Sequence, residues 1–114
     1  MHDIPNRIAD VLLQVEATLR IHDRRDPQHP PAGALDSSEP FCVDTLRFEQ
    51  WLQWIFLPRM KAILEDSQPL PHKSAIFSYA EYCLHKDDPP TADLLRHIKR
   101  FDELISIQSA AQHH

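Results

Sequence analysis

A single glycine, Gly33, stands against ten prolines in this chain of 114 residues. Primed hairpin turns need residues that accept positive φ, and glycine does so most readily. β-Hairpins, phosphate-cradling glycine loops and dinucleotide fingerprints are therefore all poorly served. The expectation is helices joined by proline-punctuated loops. The length suits one domain, and 42% apolar with 25% charged residues is a globular composition.

Periodicity places the helices. Ile4, Ile8, Val11, Leu12, Val15 and Leu19 form one stripe of 3.6-residue period. This predicts a first helix over about 4–22, with Asp3 as N-cap and Pro5 in the first turn, where its missing N–H costs little. Residues 23–40 hold Pro27, Pro30, Pro31, Gly33 and Pro40, and read as one long loop that either wraps the domain or moves. A second helix is expected over 46–66, capped by Asp44 or Thr45, with Phe48, Trp51, Leu52, Ile55, Met60, Ile63 and Leu64 at helical spacing. Pro58 lies inside it and cannot donate to the carbonyl of Trp54, so a kink is expected, with a break as second choice.

Gln68-Pro69-Leu70-Pro71 stops that helix. Ser74 caps a third over 74–85, with Ile76, Tyr79, Ala80 and Cys83 on one side. Asp88 or Thr91 caps a fourth over 91–108, striped by Leu94, Leu95, Ile98, Phe101, Leu104, Ile105 and Gln108, and residues 109–114 are expected to fray. The fold class is all-α: about four helices in a mostly antiparallel bundle forming a single domain over 1–108.

Charge and cysteine content narrow the function classes. The net charge is −5, and the acidic excess falls at both ends: −4 over residues 1–45, +1 over 46–73 and −2 over 74–114. Phosphate binding draws on counterion release by Lys and Arg, so direct nucleic-acid binding is not expected. Cys42 and Cys83 lack partner spacing, no stretch is long and apolar enough for a membrane helix, and Met-His-Asp-Ile-Pro opens without an apolar signal core. A reduced, cytoplasmic protein is the reading.

Eight histidines invite a metal hypothesis, but His2, His22, His29, His72, His85 and His97 are scattered, and His113-His114 is terminal. Cys42 near a helix start could have a lowered thiol pKa; the simpler account is an apolar staple, Phe41-Cys42-Val43, on the second helix. No nucleophile, base and orienting group assemble at useful spacing, and no cofactor is implied. Arg96, Lys99 and Arg100 with His97 make a small basic patch, weakened by Asp102 and Glu103, for which a solvated helix face is the ordinary explanation.

The informative segment is 41–60. Both tryptophans, Trp51 and Trp54, stand three apart, with Gln50 and Gln53 likewise, and apolar residues cover nearly the whole circumference. Such a helix is central in its bundle or offers one side to a partner. Two site readings are open. In one, Trp51, Trp54, Arg59 and the Leu70 loop form a protein contact surface or the scaffold just beneath it. In the other, Gln50, Gln53 and Arg59 point into a cleft lined by Trp51, Trp54 and Tyr79, with Arg59 fixing an anion.

The same segment is similar to the signature of the YqcC-like family of small bacterial helical proteins. The matching residues are Pro40-Phe41, Asp44-Thr45, Glu49-Gln50-Trp51-Leu52-Gln53-Trp54, Leu57-Pro58-Arg59-Met60 and Gln68-Pro69-Leu70-Pro71. Family members carry Pro-Tyr where this chain has Ser78-Tyr79, which bears on the boundary of the third helix. The resemblance implies an all-α bundle with no established biochemical activity, linked by gene neighbourhood and name with a tRNA pseudouridine synthase. Such synthases resemble one another in a large mixed α/β domain with an essential loop Asp and a pocket for a flipped uridine. An acidic helical chain with one glycine offers no such scaffold, and Asp44, the aspartate of the signature, is accounted for as an N-cap. The expectation is a non-catalytic accessory or interaction module whose partner protein is such a synthase.

Overall fold

The computed structural model describes residues 4–21, 30, 31, 33–84 and 89–112. The expected caps at Asp3 and Asp88, the helix ends at His22 and His85, and residues 23–29 of the loop lie outside the described residues. Helix α1 is Ile4–Ile21, its apolar stripe buried as the period demands. The described part of the connection to the second helix holds two short 3₁₀ turns, Ala34–Asp36 and Pro40–Cys42. Gly33 precedes the first with φ 87°, the left-handed conformation for which the chain keeps its one glycine.

Helix α2 consists of three segments in succession, an α turn Phe48–Trp51, a π turn Leu52–Phe56 and an α stretch Leu57–Glu65. It starts later than expected. Arg47, extended at φ −71° and ψ 160°, is its N-cap residue. Asp44 and Thr45 instead fasten the loop: the Thr45 hydroxyl donates to the Ala34 carbonyl at 2.7 Å, and Asp44 accepts from the Ser37 hydroxyl. Pro58 neither breaks the helix nor acts alone. The Leu57 N–H bonds to the Leu52 carbonyl five residues back, and both ends of the wide turn keep right-handed helical dihedrals. The π register loosens the helix one turn before the ring, where an α register would drive it into the Trp54 carbonyl.

Helix α2 ends in a Schellman motif, with the Gln68 N–H bonding the Ile63 carbonyl at 2.9 Å and the Ser67 N–H bonding the Leu64 carbonyl at 3.3 Å. Ser67 occupies the left-handed position at φ 51°, where glycine is usual. Helix α3 is Ile76–Cys83, two residues shorter at its start than Ser74 capping implied. Helix α4, Pro89–Gln112, is longer than expected at both ends, so residues 109–112 are helical rather than frayed.

Cross-chain contacts give the directions. Residues 9–19 of α1 run beside residues 65–53 of α2, and α3 runs from Asp102 toward Ala92 of α4. Both pairs are therefore antiparallel. Helix α4 is the hub, packing chiefly on α1 and next on α3. Ile8, Leu12, Val15, Leu19, Leu52, Ile98, Leu104 and Ile105 are essentially sealed from solvent. All four helices bury one apolar stripe in one core.

Candidate functional site

The distinctive site lies where the 40–48 segment meets α3. Phe41 and Cys42 both adopt left-handed backbone, at φ 58° and 50°, a conformation that costs a non-glycine residue of order 1 kcal/mol. The twist lays the Phe41 ring flat on Tyr79, with centroids 4.5 Å apart and planes 8° from parallel. Trp51 meets Phe41 edge-to-face at 4.9 Å. Phe48 approaches Trp51 at 6.0 Å and Tyr79 at 5.7 Å. Inward, Trp51 packs on Phe56 and Phe56 on Phe101 of α4, which roots the cluster in the core. Outward, Tyr79 stacks on Tyr82 at 6.4 Å, and Tyr82 is 87% exposed.

The cluster is thus a ladder of rings from core to solvent. Aromatic pairs in these geometries contribute about 0.5–1.5 kcal/mol each beyond area burial, which offsets the strained backbone. The Tyr79 hydroxyl is pushed up to about 12, first by its hydrogen bond with Cys83 and then by burial. It holds its proton throughout the neutral range. Val43, at the same corner, is 53% exposed, so only Phe41 and Cys42 of the expected staple turn inward.

The expected cleft does not assemble. Gln50 accepts a hydrogen bond from the Arg47 N–H at 2.8 Å, which ties it to the start of α2. Gln53 lies on the α1 side instead, in a groove of about 260 Å³ with Glu16, Leu19, Leu57, Pro58 and Lys61. Arg59 is exposed, with no ion pair among the described residues. Trp51 and Trp54 are half-buried, neither a plain core pair nor a bare surface, and Leu70 packs against the core as scaffold. Trp51 and Tyr79 are the two expected site residues that the fold brings together, and Phe48 bridges them.

Sequence reasoning passed over two residues here. Tyr82 is one helical turn beyond Tyr79, a spacing visible in the sequence once α3 is placed. Asp102 left no such signal. Its carboxylate accepts from the Phe77 N–H at 2.8 Å, the Ile76 N–H at 3.3 Å and the Ser74 hydroxyl, capping α3 from across the bundle. Asp102 thus directs its carboxylate at the start of α3 while standing beside the basic patch of α4. His97 beside the patch is held below the ordinary imidazole range, first by burial and then by Arg96, against a smaller opposing pull from Asp93. Between α1 and α2, Glu16 is held below the ordinary carboxylate range chiefly by its hydrogen bond from Lys61.

Among the described residues no cluster of three or more His, Cys, Asp or Glu can hold a metal, and both cysteines are free thiols. No described helix is long and apolar enough to cross a membrane.

Comparison with known proteins places the whole architecture. A family model described as "DUF446: tRNA pseudouridine synthase C" matches residues 7–104. The protein YqcC of Escherichia coli (strain K12) is 35% identical over 101 residues, covering 89% of this chain and 93% of that protein. An uncharacterized protein of Haemophilus influenzae is 37% identical over 101 residues, covering 89% and 94%. A Pectobacterium carotovorum protein named tRNA pseudouridine synthase C is 41% identical over 66 residues, which is 58% of this chain but 18% of that protein. The solution NMR structure of E. coli YqcC superposes with a TM-score of 0.82 at 33% identity, covering 99% of this chain and 97% of that one. Sequence and fold agree along nearly the full length, and the chain belongs to the DUF446 family that includes YqcC.

Proposed function

We propose that this chain is a non-catalytic interaction module that docks on a tRNA pseudouridine synthase through its aromatic ladder. The observation carrying this reading is the Pectobacterium relative. A segment similar to this chain makes up 18% of a protein that bears the synthase name, and the remaining length lies outside the similarity. A protein that bears the synthase name and also carries a segment similar to this chain supports a partnership between such a synthase and this chain where the two are separate. The ladder offers what interfaces favour: Tyr82 and Val43 exposed at the surface, with Tyr79, Phe41 and Trp51 held rigidly beneath. Trp and Tyr anchors on a rigid base form a contact with little loss of side-chain entropy.

The module adds no chemistry of its own in this reading. Tyr79 keeps its proton at neutral pH, Asp44 is occupied by Ser37, and Asp102 is committed to the cap of α3. The anion-cleft alternative lacks a meeting point, since Gln50 and Gln53 are engaged in different places.

The test is titration calorimetry of the purified chain against the synthase of the same organism. A complex is expected at micromolar concentration, weakened at least about tenfold by Tyr82→Ser together with Val43→Ser. Both positions are exposed, so thermal unfolding of that variant should match the parent. Failure to form a complex at micromolar concentrations in low salt would sink the proposed partner.

A further inference from the structure

The loop side of the aromatic ladder carries charge of one sign. Asp44 follows the exposed Val43, and two bonds bring the 34–37 turn to the same corner: the Thr45 hydroxyl donates to the Ala34 carbonyl, and the Ser37 hydroxyl donates to Asp44. The Ser37 Oγ also accepts from the Glu39 N–H at 3.1 Å. Asp36, Glu39 and Asp44 are thereby fastened around the Phe41 corner, all three exposed and in no ion pair among the described residues. Over residues 33–58 four acids, Asp36, Glu39, Asp44 and Glu49, stand against one cation, Arg47. On the other side of the ladder Glu81 lines a separate groove between α3 and α4, together with Arg96 and Lys99. Tyr79 and Glu81 are two positions apart on one helix, which turns them about 200° from each other, so the charge bordering the ladder comes from the loop.

We infer that the ladder docks on a basic protein surface: an apolar recess of the partner takes Tyr82 and Val43, and lysines or arginines around that recess meet Asp36, Glu39 and Asp44. The inference rests on the reading of the ladder as a docking face, and it names the charge of the surface that face meets. Charge complementarity selects this occupant. A second copy in a two-fold contact would set these carboxylates against their own counterparts. RNA offers bases that stack on Tyr82, but its phosphates meet the same carboxylates. An anionic lipid surface meets the same repulsion. A cationic protein face gains on both counts, from apolar contact with the rings and from opposite charge at the rim. Exposed rim charges act mainly on the association rate and its salt dependence, so docking is fast at low salt and screened at high salt.

Two measurements test this. In calorimetry of the whole chain with the synthase of the same organism, raising salt from about 0.05 M to about 0.5 M should weaken the complex at least about tenfold. Asp36→Lys with Glu39→Lys should weaken it at low salt by a similar factor. Asp10→Lys with Glu103→Lys, an equal change of net charge elsewhere on the surface, should weaken it less than about threefold. All four positions are exposed, so thermal unfolding of both variants should stay close to the parent. In an NMR titration of the isotope-labelled chain, an amphipathic peptide of leucine and lysine should shift amides around Val43 and Tyr82. It should bind at least about tenfold more tightly than its leucine and glutamate counterpart, and single-stranded oligouridylate should shift none of these amides. A synthase complex that resists salt and rim reversal, or that falls equally with the Asp10 and Glu103 variant, overturns the inference and leaves the docking face standing. With no synthase complex at all, the named partner fails and the peptide decides. Shifts at the corner that vanish with Asp36→Lys and Glu39→Lys sustain the basic surface; shifts elsewhere or none, equal binding of the two peptides, or oligouridylate at Tyr82 overturn it.

Discussion

The seam between α1 and α4 and the corner around the start of α2 are built on opposite principles. The seam is regular: Ile8, Leu12, Val15 and Leu19 meet Ile98, Leu104 and Ile105 in ordinary helices, all nearly sealed from solvent. The corner is irregular, with two adjacent left-handed residues, Phe41 and Cys42, a cap residue that is an arginine, and a π turn ahead of Pro58. It is also where aromatic rings reach the surface. In the seam, aliphatic packing stabilises helices whose backbone carries no strain, whereas the corner accepts backbone strain in order to fix ring positions. Strain that persists because surrounding contacts over-determine it is a pattern associated with functional sites.

The largest expected effect breaks the seam. Leu104→Ala removes a fully buried side chain at the hub helix and should lower stability by about 3 kcal/mol, from lost transfer energy plus the residual cavity. Urea unfolding checks it. The ring contacts at the corner should survive in the folded fraction. A loss of Trp fluorescence anisotropy in that fraction, before global unfolding, would show that the two regions are not separable.

Next comes the strut between seam and corner. Asp102→Ala deprives the start of α3 of a carboxylate that accepts from Phe77, Ile76 and Ser74, and should cost about 2 kcal/mol. Asp102→Asn keeps an acceptor and should cost less than half as much. Hydrogen exchange at Phe77 and Ala80 separates local from global loss, because fraying of α3 should appear there before the seam opens. An Asp102→Ala variant as stable as the parent would mean that α3 is held by its packing alone.

The same two regions explain how much the sequence disclosed. The stripes of the seam were legible because Ile, Leu and Val at 3.6-residue spacing have one low-energy solution, and the described helix Ile4–Ile21 lies within its expected bounds, whereas α4 runs beyond its own at both ends. The corner was legible only as composition. Asp44 and Thr45 have the chemistry of N-caps, yet loop tethering to Ser37 and Ala34 claims both, and the cap position passes to Arg47. The Asp102 cap could not be read at all, since its partners lie at sequence separations of 25–28 residues. The cleft around Gln50, Gln53 and Arg59 failed for a related reason: spacing on a helix fixes which residues share a face only while the register stays α. The π turn at Leu52–Phe56 shifts everything beyond it.

The smallest effects sharpen the comparison through its left-handed residues. Among the described residues three non-glycine positions, Phe41, Cys42 and Ser67, take positive φ, in a chain that has one glycine. Ser67 is exposed and only closes the Schellman turn of α2. Glycine suits that position, so Ser67→Gly should raise stability by about 0.5–1 kcal/mol. Phe41→Gly relieves the same backbone penalty but removes the ring that joins Trp51 to Tyr79. Loss of that partly buried ring should outweigh the relief, for a net cost of about 1 kcal/mol, read by thermal unfolding of both variants beside the parent. The opposite signs distinguish two kinds of strain, one tolerated for want of a glycine and one kept by the side chain it positions. If both substitutions stabilise, the aromatic ladder does not hold its own backbone, and the rigidity required of a docking face must come from the helices beneath it.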